Sequence, residues 1–147
     1  MITITFDDFD CYGEIMIHFI FDGQEIRKCH FSLTVDDFAT IINFLENCIK
    51  HTYCESVLGE EALSTKLIFD KQSDEKTAKL TFTYEDNSRP YSVFIETKQF
   101  VAEFYNKLMA ILENEKNTCS KETHYYRQNP EKDYNDCKSS LIENFIK

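Results

Sequence analysis

The sequence predicts an α+β fold: a largely antiparallel sheet, two main helices in a loosely repeated strands-then-helix layout, and a short C-terminal helix. Three observations carry this. Period-two alternation occurs in two groups, over residues 2–33 and 67–96. An apolar stripe at helical spacing follows each group directly. Asp22-Gly23, a dipeptide that tolerates the positive φ of a type I′ turn, joins neighbouring strands as an antiparallel hairpin requires.

The elements follow in chain order. Residues 2–6 (Ile-Thr-Ile-Thr-Phe) alternate as a half-buried strand. From Glu14 to Phe21, Ile15, Ile17, Phe19 and Phe21 share one face, and Met16, His18 and Ile20 the other. Both faces are largely apolar, which predicts a central strand covered on both sides. The return strand runs to Leu33 with Cys29, Phe31 and Leu33 inward, and Ile26 falls out of phase, so a bulge is expected near Arg27-Lys28. Thr34 is a candidate cap for the first helix, with Asp36 and Asp37 set against its dipole. Val35, Phe38, Ile41, Ile42, Leu45, Cys48 and Ile49 form its stripe, and it is expected to end near His51. Residues 52–64 read as a connection.

The second group repeats the plan. Leu67–Phe69 is a short strand, and Ala78, Leu80, Phe82 and Tyr84 alternate with Lys79, Thr81, Thr83 and Glu85, leaving one wet face. A turn over Asn87–Pro90 leads to a strand at Tyr91–Glu96. Thr97 then caps a helix striped by Phe100, Val101, Phe104, Tyr105, Leu108, Met109, Ile111 and Leu112. Residues 113–138 read as polar, turn-rich and exposed. Ser140 and Glu143 have capping-box spacing ahead of Leu141, Ile142, Phe145 and Ile146. The organisation is thus one α+β domain over 1–115, with a polar segment and C-terminal helix over 116–147 that packs on the body or swaps between protomers.

Charge narrows the partners. Of the net −10, residues 1–64 hold −9, from 12 acids against three bases (Arg27, Lys28, Lys50). Such a field repels nucleic acid and anionic membrane and attracts basic proteins. The alternative reading is a solvated, solubilising surface. Residues 1–20 contain Asp7, Asp8, Asp10 and Glu14 and lack a basic start followed by an apolar run, so no export signal is expected. No uncharged stretch approaches the roughly 18 residues that a membrane span needs. The six cysteines (11, 29, 48, 54, 119 and 137) therefore read as thiols in a reducing cytoplasm rather than as three disulfides.

Chemical motifs are sparse. Cys48-x2-His51-x2-Cys54 has metal-like spacing, but on a continuous helix residue 54 lies roughly 240° from residue 48. A fourth ligand is also missing, so no metal is expected. Cys29 and His30 are strand neighbours and point to opposite faces. His18 on a central strand reads as a hydrogen-bonded core histidine. With three glycines in the chain, a phosphate-cradling loop is not expected. The chain is read as non-enzymatic and without a cofactor.

Three segments carry a resemblance across about residues 14–113: Phe31-Ser32-Leu33-Thr34 with Asp37-Phe38; Gly59, Ala62 and Leu63 leading into Lys66-Leu67-Ile68-Phe69; and Tyr91–Thr97 running into Phe100. In these the chain resembles the immunity proteins of bacterial wall-associated and contact-dependent toxin systems, especially the small family that neutralises the wall-associated protein toxin. The resemblance implies a cytoplasmic inhibitor of a cognate toxin domain, often a nuclease and hence basic. The partner surface is expected on Asp7, Asp8, Asp10, Glu14, Asp22 and Glu25, with Glu60 and Glu61. A structural or regulatory oligomer associating through the Leu141–Ile146 helix is the alternative.

Overall fold

In a computed structural model, residues 1–7, 14–32, 37–59, 64–84, 89–118 and 130–147 are described. The strands divide between two antiparallel sheets. The first, ordered β1-β2-β3, comprises β1 (Ile2–Phe6), β2 (Glu14–Phe21) and β3 (Gln24–Ser32). The second, ordered β4-β5-β6-β7, comprises β4 (Tyr53–Leu58), β5 (Thr65–Lys71), β6 (Thr77–Tyr84) and β7 (Tyr91–Glu96). Helix α1 (Asp37–Lys50) connects the sheets, α2 (Thr97–Thr118) follows the second, and α3 (Pro130–Cys137) and α4 (Ser140–Ile146) end the chain.

Local chemistry explains the turns. Asp22 and Gly23 have φ of 51° and 84°, the two left-handed positions of the expected hairpin turn. Nothing lies within 4 Å of a Cβ placed on Gly23, so backbone conformation, not space, calls for glycine there. The bulge falls on Ile26, one residue before the expected place: Phe19 pairs with Arg27, but Ile20 pairs with Glu25. The β5–β6 hairpin turns at Glu75 (φ 60°), where the Asp74 carboxylate accepts from the amides of Lys76 (3.1 Å) and Thr77 (2.9 Å).

The core joins every layer. Ile2, Ile4, Ile17 and Phe19 from the first sheet pack with Leu67, Phe69, Leu80 and Phe82 from the second and with both long helices. A run of rings marks the path: Phe82 to Phe19 (5.0 Å between centroids), Phe19 to Phe104 (5.7 Å), Phe104 to Phe100 (6.0 Å) and Phe100 to Phe44 (6.4 Å). Helix α2 also closes the open edge of β1. Gln99 accepts from the Ile2 amide (3.3 Å) and donates to its carbonyl (2.7 Å), and Glu103 accepts from the Ile4 amide (3.1 Å).

Several expectations are corrected. Residues 53–58 are strand β4, not connection; the exposed positions of this edge strand are as apolar as its covered ones, which hid its alternation. Helix α2 runs on to Thr118, into the stretch from residue 113 read as turn-rich, and α3 occupies part of the same segment, with Cys137 buried. The α4 cap is Ser139, whose Oγ accepts from the Ile142 amide (3.1 Å), rather than Ser140. Helix α4 packs on α1 and α2 of the same chain through buried Ile142. The Thr34 cap and Asn87-Ser88 lie outside the described residues.

Candidate functional site

The site is built around His18 at the middle of β2. Its neighbours across the ladder are Thr5 on β1 and Lys28 on β3. The β1–β2 ladder continues one residue past β1, through the Asp7 amide donating to the Met16 carbonyl (3.0 Å). That bond fixes Asp7 where its Oδ1 meets His18 Nε2 at 2.8 Å. From the other side, Glu25 Oε1 bonds His18 Nδ1. One imidazole therefore ties together a carboxylate just past β1 and one on β3, the three-stranded sheet's two outer strands.

This overturns the reading of His18 as a core group. It keeps 23% of its side-chain surface, while Asp7 and Glu25 keep 59% and 47%. Met16 and Ile20 on the same face are likewise only partly covered. The Glu25 hydrogen bond, joined by Asp7, raises the histidine above its ordinary value and together they outweigh the opposing effect of burial. Protonated, the ring donates to both carboxylates. The two acids bond opposite nitrogens of one ring, so their oxygens do not converge on a common point. Among the described residues no group of three or more His, Cys, Asp and Glu side chains is placed to hold a metal.

The other expected partner residues are more scattered. Asp22 sits at the hairpin tip, four residues or about 13 Å along the strand from His18, and its Oδ1 meets the Met1 ammonium at 2.9 Å. Glu14 lies on β2 opposite Ser32. Asp8, Asp10, Glu60 and Glu61 lie outside the described residues. The structure thus brings Asp7 and Glu25 together and leaves Asp22 apart.

Three features escaped the sequence reading. Arg27 stacks on the Tyr84 ring (3.7 Å to its centroid), and Tyr84 Oη donates to the Lys28 carbonyl (3.3 Å), so one contact stitches β3 to β6 across the two sheets. No local pattern marks such a pair. The outer face of the second sheet exposes Tyr53, Val57 and Phe94, the last by 59%. Cys54, expected to point away from Cys48, has its Sγ 3.7 Å from the Cys48 Sγ. The helix ends at Lys50 and the chain returns as β4, so the rotation expected of a continuous helix does not apply.

Fold and site together define an α+β protein of two antiparallel sheets with a charged, partly exposed face on the smaller one. No protein-family model matches the chain, and no curated protein does. Among solved structures it is similar to the plant transcriptional regulator PBF-2, at 18% identity over 80% of this chain and 85% of that one, with a TM-score of 0.32. A likeness of that size carries nothing about function. No helix among the described residues is long and apolar enough to cross a membrane.

Proposed function

We propose that this chain is an immunity protein: a non-enzymatic inhibitor that docks on a basic toxin domain, a nuclease in the simplest case, in the cytoplasm of the bacterium that produces it. The observation that carries the reading is the acidic bias of residues 1–64, part of which the fold gathers as exposed Asp7 and Glu25 around His18. Such a face speeds encounter with a basic surface and covers phosphate-binding residues once docked.

The resemblance in residues 14–113 supplies the toxin class, and the charge supplies the binding mode. The expected partner is a toxin domain encoded beside this chain. Rapid-mixing association with that domain at low and high salt tests the proposal. Reversing Asp7, Asp8 and Asp10 to Lys is expected to slow association roughly tenfold or more at low salt, with the difference shrinking as salt rises. An unchanged association rate removes this face from the interface. Undiminished toxin activity in the presence of saturating protein removes the function.

A further inference from the structure

The turn between α1 and β4 creates a site that neither the charge nor the fold class calls for. Cys48 lies in the last turn of α1 and is fully buried, whereas Cys54, the second residue of β4, is partly exposed. We propose that Cys48 and Cys54 are a peroxide-responsive dithiol, with Cys54 the attacking sulfur and Cys48 the resolving one.

The geometry comes first. The two sulfurs are 3.7 Å apart, in van der Waals contact, and a disulfide needs about 2.05 Å. Only two residues, His51 and Thr52, separate the helix from the strand. The pair is held there by the backbone: the Lys71 amide donates to the Thr52 carbonyl (2.8 Å), and Cys54 pairs with Phe69 in the β4–β5 ladder. Lys71 Nζ donates to the Ile49 carbonyl at the helix C-terminus (3.2 Å), which stations an ammonium beside the thiols.

The surroundings divide the roles. The Cys48 thiol hydrogen bond, and then the Lys71 charge, lower the Cys54 thiol below its ordinary value against a cost of burial. Burial pushes Cys48 up, so it stays protonated and able to donate. The competing thiol Cys29 is buried and pushed up to about 11, and Cys137 is also buried.

The chemistry then balances with hydrogen peroxide as the oxidant. The Cys54 thiolate attacks one peroxide oxygen; an S–O bond forms, the O–O bond breaks, and the departing hydroxide takes up the proton that the thiol had released. Cys54 is now a sulfenic acid. The Cys48 sulfur attacks the Cys54 sulfur; the S–S bond forms, the S–O bond breaks, and the leaving hydroxide takes the Cys48 proton. Two thiols and one peroxide give one disulfide and two waters. The enclosed loop is short, so its closure entropy adds less to stability than a long-range cross-link does. The product instead shields Cys54 from irreversible oxidation and ties the end of α1 to the second sheet.

Tryptic mapping of the full chain tests this directly. Cleavage after Lys50 places Cys48 in fragment 29–50 and Cys54 in fragment 51–66. After a small excess of hydrogen peroxide, most of these two fragments are expected to run as one disulfide-linked species, and iodoacetamide labelling of Cys54 is expected to fall roughly tenfold or more. Cys29→Ser, whose site shares the first fragment, is expected to keep the link. Cys48→Ser is expected to lose it and leave Cys54 as a sulfenic acid that dimedone traps. Cys54 labelling unchanged by peroxide overturns the proposal, as does a link that disappears in Cys29→Ser, or wild-type Cys54 passing to sulfinic acid with Cys48 still free.

Discussion

At the scale of single residues, His18 carries the clearest pH dependence. Asp7 and Glu25 raise its folded-state value above the unfolded one of about 6.5, and the facing group on β3 is Lys28. The stabilisation is therefore fully present below the unfolded value and is lost as pH rises through the folded one. His18→Gln is expected to cost about 0.5–1 kcal/mol at pH 5.5, in the range of partly exposed ion pairs, and less at pH 9. Urea unfolding of both proteins at the two pH values checks this; a gap that widens with pH contradicts it. The sequence placed His18 on β2 but misjudged its surroundings. Alternation identifies which residues share a face, whereas the carboxylates that meet a face come from residues 7 and 25, fixed only when the ladders form.

At the scale of elements, a few polar contacts fix the ends of α4 and the outer edge of β1. Ser139 Oγ caps α4, and Tyr105 Oη on α2 accepts from the Ser139 amide (3.0 Å) while donating to Glu143 Oε2 (3.1 Å). Tyr105→Phe leaves that buried amide unpaired and is expected to destabilise the protein by about 1–3 kcal/mol. Ser139→Ala, which removes only the cap, is expected to cost about 1 kcal/mol. Thermal unfolding ranks the two, and a larger loss for Ser139→Ala than for Tyr105→Phe contradicts the assignment. On β1, Gln99→Ala frees both backbone groups of Ile2 from α2. Hydrogen exchange at the Ile2 amide is expected to quicken about tenfold, with little change at Leu80 in the second sheet's interior. The helices and hairpin were legible because each writes its period into neighbouring residues. Strand β4 was not, because its exposed positions Tyr53, Glu55 and Val57 mix aromatic, acid and aliphatic side chains.

For the whole molecule, the two sheets stand or fall together. Phe19 of the first sheet touches Phe82 of the second and Phe104 of α2, and all three are fully buried. Phe19→Ala is expected to cost about 3–5 kcal/mol and to lower the unfolding midpoint of both sheets in one transition. Separate transitions, followed by hydrogen exchange in β2 and β6, would show that the sheets unfold independently. The acidic bias belongs to this scale as well. Residues 1–50, the stretch that contains the first sheet and α1, hold nine acids and three bases, so this part of the chain carries the larger share of the net charge.

The sequence by itself determined the fold class, the hairpin at Asp22-Gly23, the buried stripes of α1 and α2, and the acidity of the first half. These follow from local periodicity, turn chemistry and counting, which need no knowledge of what packs against what. Only the tertiary structure decided that the strands split into two sheets, that His18 gathers Asp7 and Glu25, and that Cys54 returns to Cys48. Each of these depends on contacts between residues whose separation along the chain says nothing of their distance in space. The two cysteines make the point most sharply, because a chain reversal two residues long turned a spacing that separates them on a helix into contact.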